Sequence, residues 1–150
     1  MTAFTMVELA SAEGADLGTS VSLLVDQQRI DAFAAVTEDR NWIHVDPQRA
    51  AGGSYGATIA HGYLTLSLTS HFLKSILQVT DAAMTINYGL GRVRFPSAVV
   101  VGSTLSADGR IASVSQIEGG LQAATIVRIG ADTSAKPVCV AEVLTRFLRG

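Results

Sequence analysis

The run Ile59-Ala60-His61-Gly62-Tyr63-Leu64-Thr65-Leu66-Ser67-Leu68-Thr69-Ser70-His71-Phe72-Leu73-Lys74-Ser75-Ile76-Leu77-Gln78-Val79 contains no proline and a single glycine, close to its front. At about 100° per residue, Tyr63, Leu64, Leu66, Leu68, Phe72, Leu73, Ile76 and Leu77 spread round the whole circumference instead of forming one stripe. The pattern predicts a helix over 59–79 that is apolar on every side, and such a helix must be wrapped by other parts of the chain. His61, His71 and Lys74 lie within it, which speaks against a membrane span.

The wrapping material follows. Leu121, Ala123, Thr125, Val127 and Ile129 alternate with Gln122, Ala124, Ile126 and Arg128, a period of two that marks a strand. Strands are expected over 83–95, 103–117, 121–131 and 137–149, with Glu118-Gly119-Gly120 as a hairpin turn. Asp108-Gly109 is a further turn signal, read as a bulge in one long strand because a split would leave strands of about five residues.

Ahead of the central helix the chain is more broken. Residues 4–12 read as a short helix ending at Gly14, and Thr19 to Val25 as a strand. Asp26 reads as the N-cap of a helix whose apolar stripe is Ile30, Phe33, Ala34 and Val36 and which stops near Thr37. Glu38 to Asn41 form a loop, and Asp46-Pro47 opens a short helical turn. Strands that follow helices, rather than alternating with them, predict a single α+β domain over 1–150 with a mostly antiparallel sheet.

Composition narrows the function. Of 150 residues, 48% are hydrophobic and only 16% charged, with a mean hydropathy of +0.34. So little charge on a small domain implies that a partner covers part of its surface, most simply a second copy. A net charge of −2 leaves no basic footprint for nucleic acid. Cys139, the only cysteine, sits in an apolar strand pattern and reads as a buried thiol; it excludes an intrachain disulfide and any multi-cysteine metal site. No secretory pattern opens the sequence, so a cytoplasmic location is expected.

The chemistry-bearing stretch is Thr37-Glu38-Asp39-Arg40-Asn41-Trp42-Ile43-His44-Val45-Asp46-Pro47. Asp39 and His44 are five residues apart, about 140° round a helix and on opposite faces of a strand, so they converge only across a loop or turn. Converged, a carboxylate and a neutral imidazole can hold a water and move its protons. A structural reading, with Asp39 capping a turn and His44 in a strand, fits the same spacing.

Asp39-Arg40-Asn41-Trp42-Ile43-His44-Val45-Asp46-Pro47 with Ala50, followed by Gly56 to Gly62, resembles the signature of the MaoC-like (R)-specific enoyl-CoA hydratases. Asn87 to Pro96 and Ser134 to Glu142 are similar to their nodulation-protein-N-like branch. The resemblance implies a hot-dog fold, an antiparallel sheet wrapped round a long central helix, with two copies joined edge to edge as a homodimer. It implies hydration of a trans-2-enoyl-CoA thioester to the (R)-3-hydroxyacyl product, with CoA thioester as substrate and neither cofactor nor metal. Asp39 and His44 match the catalytic pair. Gly62 matches the glycine whose N–H, at the first turn of the central helix, meets the thioester oxygen.

Around these, Asn41 would hold the loop or form a local turn, and Ser70 would approach Asp39 as in some relatives or remain an ordinary helical hydroxyl. Arg94, with Arg92, would meet CoA phosphates or form a solvated face. His61 would anchor the helix start through a hydrogen bond, while His71 is structural. The sequence departs from the signature at two positions. Glu38 replaces a glycine, implying that no positive φ is needed there, and Trp42 replaces a proline and would shape the acyl pocket. A hot-dog acyl-CoA thioesterase and a non-catalytic acyl-binding subunit are the competing readings.

Overall fold

The computed structural model describes residues 1–150. The central helix forms, in two pieces, α5 (Gly62–Ser67) and α6 (Thr69–Ile76). Leu68 between them keeps right-handed helical dihedrals (φ −70°, ψ −11°), and the backbone bonds Leu68 N–H to Leu64 O and Phe72 N–H to Leu68 O carry the helix through. The irregularity coincides with hydroxyls that bond back to preceding carbonyls: Ser67 Oγ to Tyr63 at 2.7 Å and Thr69 Oγ1 to Leu66 at 2.7 Å. Such back-bonding bends helices. The helix is shorter than 59–79 at both ends. Ala60 N–H is instead bonded to Val99 O, and Leu77–Val79 form strand β4, which pairs in parallel with β1 (Thr2–Phe4).

The main sheet takes β2 (Asp16–Thr19), β3 (Leu23–Val25), β5 (Met84–Arg94), β6 (Ser103–Ile117), β7 (Gly120–Ala131) and β8 (Ser134–Leu148). Its order is β2-β6-β7-β8-β5, with β3 also on β6, and every pairing is antiparallel. Two expectations change. The strand read over 19–25 is split into β2 and β3, which meet different stretches of β6. The bulge in β6 lies between Ile111 and Ser113 rather than at Asp108-Gly109. Gly109 serves packing instead, since a Cβ there would stand 2.8 Å from Ile76 Cδ1, where α6 rests on the sheet. The turn into β7 is as expected, with Gly119 at φ +74°.

Short helices bridge sheet and central helix. They are α1 (Met6–Leu9), α2 (Gln27–Thr37), α3 (Trp42–Val45) and α4 (Pro47–Ala51). Asp26 caps α2 by accepting from Arg29 N–H at 2.9 Å, and Asp46 caps α4 ahead of Pro47. Ile30 and Ala34 are buried, whereas Val36 is 81% exposed and no part of the buried stripe.

Phe72, Ile76, Leu105, Ile111, Leu121 and Ile129 are fully buried between helix and sheet, each contributing about 1.5–3 kcal/mol of burial. The helix is not enclosed all round, however. Tyr63 is 72% exposed, and Ser67, His71 and Lys74 lie on the open side. The edge strand β5 likewise exposes Met84, Ile86, Tyr88 and Leu90. No helix is long and apolar enough to cross a membrane.

Candidate active site

The segment after α2 makes the turn that Asp39 and His44 require. Glu38 ends α2 in the left-handed conformation (φ 62°, ψ 8°), the only non-glycine residue of the chain with positive φ. The expectation that glutamate here excludes positive φ is therefore wrong. Terminating a helix in αL is a geometric need of the turn, which glycine meets without cost and glutamate meets with strain. Both Glu38 and Asp39 are exposed.

Asn41 then caps α3, its Oδ1 accepting from Ile43 N–H at 3.3 Å, which is the local-turn role. His44 is thereby helical rather than extended, and only 7% exposed. Its Nδ1–H donates to Ile59 O at 2.7 Å, fixing the tautomer and leaving a lone pair on Nε2. Burial holds the imidazole below its ordinary pKa. The Ile59 bond and the charge of Asp39 act against this, and His61 adds to it.

His61 occupies the N-cap position of α5 and is 3% exposed. Its Nε2–H donates to the main-chain carbonyl of Asp39 at 2.9 Å, its ring stacks on His44 with centroids 3.7 Å apart, and its buried Nδ1 has no partner. It does anchor the helix start, and what it anchors it to is the Asp39 loop. Asp39, His44 and His61 each offer one possible ligand atom, all within 4.8 Å of one another.

His44 opens onto a cavity of about 350 Å³ lined also by Tyr55, Ile59, Gly62, Thr65 and Phe95. Gly62 is the first residue of α5, so its N–H has no acceptor within the helix. A Cβ at Gly62 would stand 3.2 Å from the Phe95 ring, so glycine lets that aromatic close on the helix end. One cavity thus joins an imidazole lone pair and a free backbone donor, with the Asp39 carboxylate within 4.8 Å of His44. That arrangement can polarise a carbonyl oxygen and take a proton from a water.

The other residues singled out in the sequence lie elsewhere. Trp42 packs on Gly53 and under the Arg49 guanidinium, 4.4 Å from its ring, in a separate hollow. Ser70 accepts from Asn87 Nδ2 at 3.0 Å and lines a groove of about 590 Å³ between α6 and the sheet, with Leu73, Lys74 and Phe147. Arg92 and Arg94 are exposed on β5. Gln27, Tyr55 and Phe95 reach the site or its supports without any signature in the sequence, because long-range pairing alone brings them there.

A family profile described as MaoC like domain matches residues 8–134. The chain is 40% identical over 145 residues to 3-hydroxyacyl-thioester dehydratase Z of Mycobacterium tuberculosis, covering 96% of each. It is 46% identical over 101 residues to nodulation protein N of Rhizobium leguminosarum, covering 66% of this chain and 63% of that one. Among solved structures, the unliganded R-hydratase PhaJ1 of Pseudomonas aeruginosa superposes with a TM-score of 0.78 over 98% of this chain and 87% of that one, at 23% identity. That likeness is one of fold, the hot-dog arrangement of sheet round helix.

Proposed function

Since the chain belongs to the MaoC-like domain family and is a hydro-lyase of it, we propose that it adds water to trans-2-enoyl-CoA thioesters, giving (R)-3-hydroxyacyl-CoA, and catalyses the reverse dehydration. The observation that carries this reading is the shared cavity of His44 and Gly62, with the Asp39 carboxylate beside it.

In this reading a water is held between Asp39 and Nε2 of His44. As its oxygen bonds to Cβ, His44 takes one proton. The π electrons of the double bond move toward the thioester, whose oxygen gains negative charge and is met by Gly62 N–H at the positive end of α5. The imidazolium then returns its proton to Cα on the same face, so one water is added across the double bond and the enzyme is regenerated. Asp39 orients the water and stabilises the imidazolium. The lowered pKa of His44 suits this, because a base must be unprotonated near neutral pH. The exposed apolar residues of β5 support a homodimer formed through that edge.

The test is hydration of crotonyl-CoA, followed by loss of the enoyl absorbance, with chiral analysis of the product and a parallel assay for free thiol. An (R)-alcohol without thiol release is expected. Steady thiol release with the enoyl group intact would assign a thioesterase, and an (S)-product would overturn the reading.

A further inference from the structure

The carboxamide of Gln27, the first residue of α2, sits where three segments of the chain meet. Its Nε2 donates to the main-chain carbonyl of His44 at 2.8 Å and to Asp31 Oδ1 at 2.7 Å. Its Oε1 accepts from the hydroxyl of Thr58, a residue only 1% exposed. The next carbonyl along, that of Ile59, is the one that receives the His44 Nδ1–H. A single side chain therefore ties the backbone of His44 to the Thr58-Ile59 segment that orients its ring.

The amide's orientation is dictated by its partners. Turned over, its oxygen would face a carbonyl and a carboxylate, two acceptors with no proton to give. The geometry points to Gln27 as a positioning residue for the imidazole of His44, acting through Thr58 and Ile59 rather than on substrate. The assignment rests on His44 being the base of the proposed hydration. A misplacement of the base by about 1 Å is enough to cost roughly 100-fold in rate.

Gln27→Glu keeps the shape, removes both donors and sets a carboxylate against the His44 carbonyl and Asp31. Crotonyl-CoA kinetics across pH are measured for the wild type, Gln27→Glu, Thr58→Val and Gln28→Glu, the last making the same chemical change at an exposed neighbour. Gln27→Glu is expected to lower kcat roughly 10- to 100-fold with KM within about threefold. The acid limb of its kcat/KM profile should move up toward the ordinary imidazole value, because a displaced ring loses its burial. Thr58→Val should show the same changes more weakly, and Gln28→Glu neither.

A folded Gln27→Glu enzyme with wild-type kcat and acid limb would overturn the inference. So would a loss of kcat matched by loss of folded protein in circular dichroism, with the acid limb unmoved. Should Gln27→Glu not fold, Thr58→Val decides by the same two readouts. A wild type without hydration activity, or an active His44→Ala, would instead overturn the reading of the site on which the inference stands.

Discussion

The imidazole of His61 lies against that of His44, planes 24° apart and centroids 3.7 Å apart, while its Nε2–H holds the carbonyl of Asp39. The two residues that bracket the acid/base turn are thus set by one side chain at the start of the central helix. Burial disfavours a positive charge on His44, and the neighbouring His61 acts in the same sense.

The first prediction follows from that sense. His44 is lowered in the folded state, so below about pH 6.5 the unfolded chain takes up a proton that the folded chain resists. Its contribution to stability is complete above about pH 6.5 and is lost as pH falls through the folded pKa. Urea unfolding of wild type and His44→Gln at pH 7.5 and pH 5 should show the variant losing less stability on acidification. In activity, the acid limb of kcat/KM should have its midpoint below about pH 6.5, the ordinary imidazole value. A midpoint above about 6.5 would contradict the burial argument.

Glu38 supplies the second. Its left-handed backbone costs an L-residue about 1–2 kcal/mol, and glycine gives back about 0.5–1 kcal/mol in unfolded-state entropy. Glu38→Gly should therefore stabilise the chain by about 0.5–1 kcal/mol, read from the denaturation midpoint at unchanged m-value. Because the exposed glutamate makes no side-chain hydrogen bond, hydration rates should be unaffected. A destabilised variant would show that some contact of the glutamate outweighs the strain.

Glu38 also shows where sequence reading stops. The all-round apolar run and the alternation in β7 reported helix and sheet correctly, since both are local periodicities that burial imposes. Positive φ at a charged residue is set by how α2 must end to turn back toward α3, and residue type argued against it. That Asp39 and His44 turn toward each other was legible because the polar loop between them is local. The support beneath them was not. Gln27 reaches His44 across 17 residues of sequence and Thr58 across 31, and only tertiary pairing makes it their neighbour. The contacts of Trp42 with Arg49 and Gly53 were likewise not legible, since residue type alone does not say which way a side chain within a motif faces.

Cys139 carries the third prediction. It is fully buried in β8, and desolvation pushes its thiol up to about 11. The reactive species is the thiolate, so a thiol reagent at pH 8 should label the native protein negligibly and the urea-unfolded protein stoichiometrically. Rapid labelling of the native state would mean that the strand opens locally far more often than its burial implies.

The fourth concerns the open edge. Strand β5 pairs only with β8, leaving its other side free, and it presents Met84 (56% exposed), Ile86 (36%), Tyr88 (52%) and Leu90 (45%). A long edge strand with such residues invites pairing with another edge, and an antiparallel copy of itself closes the contact symmetrically. A lysine at Ile86 would put a charge from each copy into the apolar contact of such a pairing, at a cost in desolvation. Analytical ultracentrifugation should find a dimer for the wild type and a shift toward monomer for Ile86→Lys, with far-ultraviolet circular dichroism unchanged because the substituted side chain lies outside the core. A dimer of undiminished affinity in Ile86→Lys would move the interface away from β5, to the exposed face of the central helix around Tyr63 and His71.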